Sequence, residues 1–160
     1  FAYVLLSGVL EAAAGKPFTA LMYEYILNPS KAVRIEFDNP EQNITHNVSK
    51  FYEPVNGRYV EAPAIDNSCK FGGGSMNSTP SEIVKVMSAY FSGKLTKQSV
   101  AEITNSFPRR IAASGEGLGG RSTLLGYPKE NLTVVLVANA RGGNLQPYAL
   151  EIAKLIVSNE

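Results

Sequence analysis

The sequence is poor in the side chains that bind metals and form disulfide bonds. Its 160 residues include one cysteine, Cys69, and one histidine, His46. A single cysteine cannot form an internal disulfide, and one cysteine with one distant histidine does not make a zinc-binding spacing. We therefore predict no metal site and a buried apolar environment for Cys69. His46 is expected to be exposed or locally hydrogen-bonded rather than to act as a catalytic base.

The sequence also lacks an excess of charge of either sign. Fifteen basic and fourteen acidic residues leave a formal net charge of +1, with no basic stripe that could follow a phosphate backbone. No apolar run reaches the roughly 18 residues that a membrane-spanning helix needs. The 44% hydrophobic and 18% charged residues are typical of a globular protein. We therefore expect no nucleic-acid partner and no membrane span.

Two helices are predicted at the start of the chain. Residues 1–14 are apolar almost all the way round, with only Ser7 and Glu11 interrupting, so a helix here should be buried on most sides. This segment has no initiator methionine and no basic start, so we interpret it as mature protein rather than a signal peptide. A second helix is predicted over residues 18–27. It should end before the Asn-Pro pair at 28–29, because proline disfavours helical geometry in the preceding residue.

Further helices are predicted later in the chain. Residues 79–82, Thr-Pro-Ser-Glu, place a proline at the first helical position and a carboxylate three residues after the capping threonine. This capping-box pattern predicts a helix over residues 80–91. A short helix is expected after Thr96, and a last helix over residues 146–157 should cover a sheet. Short strands are predicted in the loop-rich region before these helices, at 33–37 and 58–60.

A glycine-rich stretch lies at 112–122, Ala-Ala-Ser-Gly-Glu-Gly-Leu-Gly-Gly-Arg-Ser. A phosphate-binding loop would need a following helix and a Gly-Lys-Ser/Thr ending. Instead, apolar and β-branched residues follow at 122–127 and 132–138, with a turn at 128–131 between them, so the stretch opens a β-hairpin. Strands that follow helices and precede a terminal helix indicate an α+β fold, an antiparallel sheet flanked by helices.

The order of these pieces resembles a known family. Residues 1–18, Phe-Ala-Tyr-Val-Leu-Leu-Ser-Gly-Val-Leu-Glu-Ala-Ala-Ala-Gly-Lys-Pro-Phe, resemble the helix after the Tyr-x-Asn motif of beta-lactamase-like and penicillin-binding-protein-like serine hydrolases. Residues 65–79, Ile-Asp-Asn-Ser-Cys-Lys-Phe-Gly-Gly-Gly-Ser-Met-Asn-Ser-Thr, are similar to mitochondrial beta-lactamase-like serine proteases and class C beta-lactamase-like esterases. With the hairpin, the resemblance covers residues 1–27, 62–92 and 113–141. It implies that residues 1–160 are the C-terminal part of a single beta-lactamase/transpeptidase-like domain.

Two motifs of that family are incomplete in this sequence. The family needs a nucleophilic serine in Ser-x-x-Lys and a Tyr-x-Asn or Ser-x-Asn that assists proton transfer. No serine here has a lysine three residues later, and the Ser-x-Asn at 75–77 lies where the family has a glycine-rich loop. The nucleophile is therefore expected on an N-terminal part of the same domain, which would be the partner of this chain. The nearly all-apolar first helix independently supports this expectation.

The third family motif, Lys-Thr-Gly or His-x-Gly, falls at residues 113–115 by resemblance. The backbone N–H of Glu116 would then be one oxyanion-hole donor, which is a catalytic role. The glycines would let substrate lie against the strand edge, and the residues implied to bind it are Ser114, Gly115, Gly119 and Asn139. No metal or organic cofactor is implied. In a second interpretation, residues 115–120 are only a tightly packed turn and Asn139 only satisfies the end of its strand.

Ala113 stands where the family has a cation or a histidine. Arg141, or Arg109 and Arg110, could supply positive charge to an anionic group. Ordinary solvated arginines are the simpler interpretation of each. If residues are missing from the poorly matching stretch 96–112, Ala113 is not the equivalent position.

The resemblance implies a serine hydrolase that acts by acyl transfer on an amide or ester. Its substrate would be a peptide or a small molecule such as a beta-lactam or simple ester, and its location would be secreted, periplasmic or mitochondrial. This chain alone is expected to hydrolyse nothing. The alternative is a catalytically inactive binding or scaffold protein of the same fold, which the alanine at 113 favours.

Overall fold

The computed structural model describes residues 1–38 and 48–157, and His46 lies outside them. The helices are α1 (Ala2–Ala14), α2 (Phe18–Met22), α3 (Asn28–Ser30), α4 (Pro80–Phe91), α5 (Val100–Ser106) and α6 (Gln146–Lys154), with a π-helical turn at Tyr23–Leu27. The strands are β1 (Glu36–Phe37), β2 (Tyr52–Val55), β3 (Arg58–Glu61), β4 (Met76–Asn77), β5 (Ile111–Gly117), β6 (Gly120–Tyr127) and β7 (Leu132–Ala138). Two small antiparallel pairs, β1–β4 and β2–β3, accompany the main sheet.

The main sheet is antiparallel and has the order β5-β6-β7. α6 covers one face of it through a core made of Leu125, Tyr127, Val134, Ala149 and Ala153. α4 covers the opposite face, where the ring of Phe91 lies 2.7 Å from the position of a Cβ added at Gly126. Successive residues of a strand point to opposite faces, so Leu125 and Gly126 contact different helices. The predicted α+β fold with an antiparallel sheet flanked by helices is confirmed.

The second predicted helix does not end before Pro29. α2 passes into the π-helical turn and continues as α3 through Pro29 to Ser30. In the π turn, the N–H of Asn28 bonds to the carbonyl of Tyr23, five residues back. This wider turn accommodates a proline ring that would collide with the preceding turn of an ordinary α-helix. The helical path stops only at Lys31, which has a φ of 58°.

α1 is much more exposed than its sequence predicts. Ser7 is its only buried residue, and the Ser7 Oγ donates to the carbonyl of Phe71 at 2.9 Å. The exposed large apolar side chains of α1 are Tyr3, Leu5, Leu6, Val9 and Leu10. The prediction that this helix is buried on most sides is therefore wrong for the structure formed by residues 1–38 and 48–157. One side of the helix rests on residues 71–73, and its C-terminal end contacts α2, where the Phe18 N–H donates to the Glu11 carboxylate at 2.7 Å.

The described residues contain no single helix that is long and apolar enough to cross a membrane. α1 and the helical segment Phe18–Ser30 pass that test only when taken together, and they are bent by 85° at the break between them.

Cys69 is exposed rather than buried, so that prediction is also wrong. It lies in a tight turn in which the N–H of Lys70 donates to the carbonyl of Asn67 at 2.8 Å. The turn is held by backbone and side-chain polar groups rather than by apolar packing, which leaves the thiol at the surface.

The capping box predicted at the start of α4 is not formed. Thr79 is the N-cap and Pro80 the first helical residue, but the Thr79 side chain makes no capping bond. Its Oγ1 lies 2.9 Å from the Oγ of Ser81 instead. The Glu82 carboxylate accepts from the Lys85 Nζ at 2.6 Å and from the Arg34 N–H at 3.3 Å. The Thr79 hydroxyl is therefore taken by a neighbour in the first turn, and the Glu82 carboxylate by Lys85 on the same helix and by the distant Arg34.

A complete capping box stands at α5 instead. The Glu102 N–H donates to the Ser99 Oγ at 3.2 Å, and the Ser99 N–H donates to the Glu102 carboxylate at 2.7 Å. These two bonds satisfy two backbone donors that the first helical turn leaves unpaired. The hydrogen bonds from the Ser99 backbone and side chain also lower the pKa of the Glu102 carboxyl from its ordinary 4.5.

We expect Ser99→Ala to lower the free energy of unfolding by about 1 kcal/mol, the usual cost of losing an N-cap side chain. Thr79→Ala is the matched control and should cost much less, because Thr79 makes no capping bond. Since the folded state lowers the pKa of Glu102, its contribution is present above pH 4.5 and is lost as the pH falls through the folded value. Urea unfolding of both variants at neutral and acidic pH measures these effects. Equal losses of unfolding free energy in the two variants would contradict the assignment of Ser99 as a capping residue.

Candidate active site

β5 forms an open edge of the main sheet. Among the described residues it pairs with β6 alone, and positions 112–117 are exposed. Gly117 and Gly120 face each other across a two-residue turn, so they form the hydrogen-bonded pair that closes the hairpin. Hydrogen-bonded and non-hydrogen-bonded pairs alternate along antiparallel strands, so the N–H of Glu116 points away from β6. The edge therefore presents this N–H outward.

The side chains of β5 alternate between the two faces of the sheet. Ser114 and Glu116 lie on the face that α6 covers, and the Ser114 Oγ is 2.9 Å from the Oγ1 of Thr123 on β6. From residue 113 onward the opposite face carries only small residues, Ala113, Gly115 and Gly117, and the larger Ile111 stands at the start of the strand. Beside the last five residues of β5, no side chain on that face is larger than a methyl group.

A cavity of about 290 Å³ lies between the β5–β6 hairpin and the start of α6. Its lining residues are Ser114, Gly115, Glu116, Arg121, Ser122, Thr123, Gly143, Asn144 and Leu145. Six of the nine lining residues are polar, and they include three hydroxyl side chains, one guanidinium and one carboxylate. Such a lining suits a small polar or anionic group rather than an apolar one.

Arg121 is the buried cation of this cavity. Its side chain is 7% exposed, and its Nη2 lies 3.4 Å from the Oε1 of Glu116. The Nε of Arg121 is buried and has no hydrogen-bond partner among the described residues. The sequence pointed to Arg109, Arg110 and Arg141 as candidate cations and gave no indication of Arg121. The hairpin register would have revealed it, because Arg121 faces Glu116 across the two strands.

Gly119 and Gly120 are packed against a remote segment of the chain. A Cβ on Gly119 would lie 2.6 Å from the Cβ of Phe51 and 2.8 Å from the backbone nitrogen of Tyr52, and Gly119 has a φ of 67°. A Cβ on Gly120 would lie 2.9 Å from the Phe51 ring. A Cβ on Gly117, by contrast, would meet no atom within 4 Å. Close packing of Phe51 therefore explains the two glycines at the turn.

Asn139 connects the end of β7 to the same remote segment. Its Nδ2 donates to the carbonyl of Lys50 at 2.9 Å, and its carbonyl accepts from the N–H of Tyr52 at 2.9 Å. The N–H of Arg141 in turn donates to the carbonyl of Tyr52 at 3.0 Å. Asn139 thus has a structural partner for its amide, in line with the second interpretation of its place in the sequence.

Charged side chains surround the tip of the hairpin. The Nε of Arg141 lies 3.0 Å from the Oε1 of Glu116, and its Nη1 lies 3.8 Å from the Oε2 of Glu53. The other oxygen of Glu53 accepts the N–H of Gly119. Arg141 is therefore paired with two carboxylates and is about half exposed. These contacts join β2, β5 and the segment after β7.

The beta-lactamase family model matches residues 1–157. The chain belongs to the beta-lactamase family. The resemblance seen in the sequence is thus confirmed. A comparison with curated protein sequences gave no significant match.

Several solved structures share the fold of this beta-lactamase family member. It is similar to FmtA from Staphylococcus aureus, with a TM-score of 0.80, 20% identity, and coverage of 99% of this chain and 49% of that one. It is similar to the octameric penicillin-binding protein homologue from Pyrococcus abyssi, with a TM-score of 0.78, 17% identity, and coverage of 98% and 41%. It is also similar to D-amino acid amidase from Ochrobactrum anthropi, with a TM-score of 0.71 and 18% identity. That match covers 96% of this chain and 53% of the amidase. The chain spans about half the length of these structures.

The structure brings some of the predicted site residues together and separates others. Ser114, Gly115 and Glu116 line the cavity beside the open edge. Gly119 and Asn139 instead contact residues 50–52. The roles of all five remain predictions.

Proposed function

We propose that this chain is the C-terminal part of a serine hydrolase domain that cleaves an amide or ester by acyl transfer. The nucleophilic serine lies on a preceding part of the same domain, which is the partner of residues 1–160. The observation that carries this proposal is the outward N–H of Glu116 on an open, small-residue strand edge of a beta-lactamase family fold. The D-amino acid amidase with the same fold supports an amide or ester bond as the bond cleaved.

The edge strand would act on the acyl group. When a nucleophile attacks a carbonyl carbon, negative charge builds on the oxygen, and a fixed N–H aimed at that oxygen stabilises the transition state. The N–H of Glu116 supplies one such donor. Ala113, Gly115 and Gly117 leave the neighbouring space clear for the substrate backbone to approach the strand. This chain therefore contributes substrate docking and one half of an oxyanion hole.

The cavity next to this edge would bind an anionic group of the substrate. Arg121 supplies a buried guanidinium with an unpaired Nε, and the Ser114 and Thr123 hydroxyls stand on the same face. A guanidinium that is withheld from water binds a carboxylate more strongly than an exposed one does. The substrate class we infer is an amide or ester that carries a carboxylate near the scissile bond.

The uncovered surfaces fit the preceding part of the domain. α1 exposes five large apolar side chains along one helix, and β5 has an unpaired edge among the described residues. Contiguous exposed apolar surface of this kind marks a contact with another polypeptide segment. The solved structures with this fold are about twice as long as this chain, which leaves ample length for such a segment.

A second candidate is a binding or scaffold protein that has the fold without the chemistry. Ala113 favours it, because the position expected to hold a cation or histidine carries only a methyl group. In that case the cavity beside Arg121 would hold a carboxylate ligand without cleaving it.

The test compares the complete polypeptide with residues 1–160 alone. Both are incubated with a chromogenic ester, an amino acid p-nitroanilide and a chromogenic beta-lactam, and a fluorophosphonate probe is used to label an activated serine. We expect turnover and labelling by the complete polypeptide and neither by the isolated chain. Turnover by the isolated chain would contradict the assignment of the nucleophile. Ligand binding by the complete polypeptide without turnover or labelling would favour the scaffold instead.

A further inference from the structure

Both peptide groups of Gly119, at the tip of the β5–β6 hairpin, are held by one short segment. The Gly119 N–H donates to a carboxylate oxygen of Glu53, and its carbonyl accepts from the N–H of Tyr52 at 3.3 Å. The Glu53 side chain is 18% exposed and Gly119 itself is buried. Phe51 packs against the same glycine on another side. The turn is therefore fixed from outside the sheet by β2 and the residue before it.

We propose that Glu53 is a positioning residue that sets the place of the outward Glu116 N–H. This inference rests on the proposed function. It extends that function to a residue that lies 63 positions before the oxyanion donor in the sequence. The Glu53 carboxylate holds the turn at Gly119, and the turn determines where the last residues of β5 lie. Glu53 does not touch the substrate and acts only through the hairpin.

The burial of Gly119 makes this contact consequential. A backbone N–H that is withheld from water and loses its acceptor carries the full cost of its desolvation. A carboxylate is a stronger acceptor for such an N–H than a neutral group. Without Glu53, the turn is expected to move until the Gly119 N–H finds water or another acceptor. A shift of that kind displaces Glu116, which is three residues earlier on a free edge.

Arg141 lies between the carboxylates of Glu53 and Glu116. It lies 3.0 Å from Glu116 and 3.8 Å from Glu53, so it neutralises negative charge on both sides of the tip. Without that cation, two carboxylates close to the oxyanion site would oppose the negative charge that develops there. The segment 50–53 thereby couples the β2–β3 hairpin to the open edge.

The experiment uses the complete polypeptide and three variants, Glu53→Ala, Glu53→Gln and Glu61→Ala. Glu61 is the matched control, a glutamate on β3 whose surface ion pair with Lys50 measures 2.7 Å. The first readout is amide hydrogen exchange at Gly119, compared with amides in the centre of β6. The second is kcat and KM for the hydrolysed substrate, measured separately.

For Glu53→Ala we expect Gly119 exchange to accelerate roughly tenfold or more, and kcat to fall roughly tenfold with KM within twofold, as befits loss of an interaction realised in the transition state. Glu53→Gln retains an acceptor oxygen and should recover part of both effects. Glu61→Ala should change neither. Unchanged exchange at Gly119 in Glu53→Ala would overturn the proposal, as would an unchanged kcat in an active enzyme. A parent protein without any turnover would instead contradict the proposed function.

Discussion

Gly119→Ala is expected to lower the free energy of unfolding by about 3 kcal/mol, from overpacking and from a left-handed φ that an L side chain adopts at a cost. The new methyl would lie 2.6 Å from the Phe51 Cβ, 2.8 Å from the Tyr52 nitrogen and 3.0 Å from the Ala62 Cβ. All three atoms are backbone or Cβ atoms, and none is the end of a flexible side chain. The turn or the 51–62 segment must therefore move.

Gly117→Ala is the matched control for this change. It lies two residues earlier, its φ is outside the left-handed range, and an added Cβ meets no atom within 4 Å. We expect its free energy of unfolding to stay within about 0.5 kcal/mol of the parent value. Chemical unfolding of both variants decides the matter. Equal losses in the free energy of unfolding for the two variants would show that packing against Phe51 does not explain the glycine at 119.

Glu116→Pro is expected to reduce kcat of the complete polypeptide roughly 100- to 1000-fold, the usual loss when one oxyanion donor is removed. Proline has no N–H, so the substitution deletes the proposed donor itself. Proline is tolerated on an edge strand where the N–H faces away from the sheet, and the register places the Glu116 N–H on that side. The Glu116→Pro variant should therefore fold normally and lose most of its activity.

Glu116→Ala separates the N–H from the carboxylate. It retains the donor and removes the contacts with Arg121 and Arg141, so we expect kcat to fall by less than about tenfold, the range of an exposed ion pair. Steady-state kinetics and near-ultraviolet circular dichroism on both variants provide the comparison. A proline variant that is folded and as active as the alanine variant would remove Glu116 from the oxyanion site.

Local patterns in the sequence predicted the elements whose signals are themselves local. The β-branched run before Ala138 and the turn before Leu132 predict the hairpin, because turn residues and period-two alternation act over a few positions. The proline at 80 marks the start of α4 for the same reason. The resemblance added the family and the position of the edge strand.

Contacts between distant segments could not be predicted in this way. Phe51 and Gly119 are far apart in sequence and touch only because β2 folds back onto the hairpin tip. A distant contact also draws the Glu82 carboxylate to the Arg34 N–H, whereas the Thr79 hydroxyl is taken locally by Ser81. Arg121 carries no local signal of a role, and only the strand register places it beside Glu116.

The uncovered side of α1 determines how residues 1–160 behave when they are produced by themselves. Its exposed apolar side chains order the surrounding water, and they are Tyr3, Leu5, Leu6, Val9 and Leu10. That water is released when two such helices come into contact. Self-association of α1 would then compete with the contact proposed above, more strongly as the protein concentration rises. We expect joint expression with the proposed preceding part of the domain to reduce this competition, because that part would cover the helix before two copies meet.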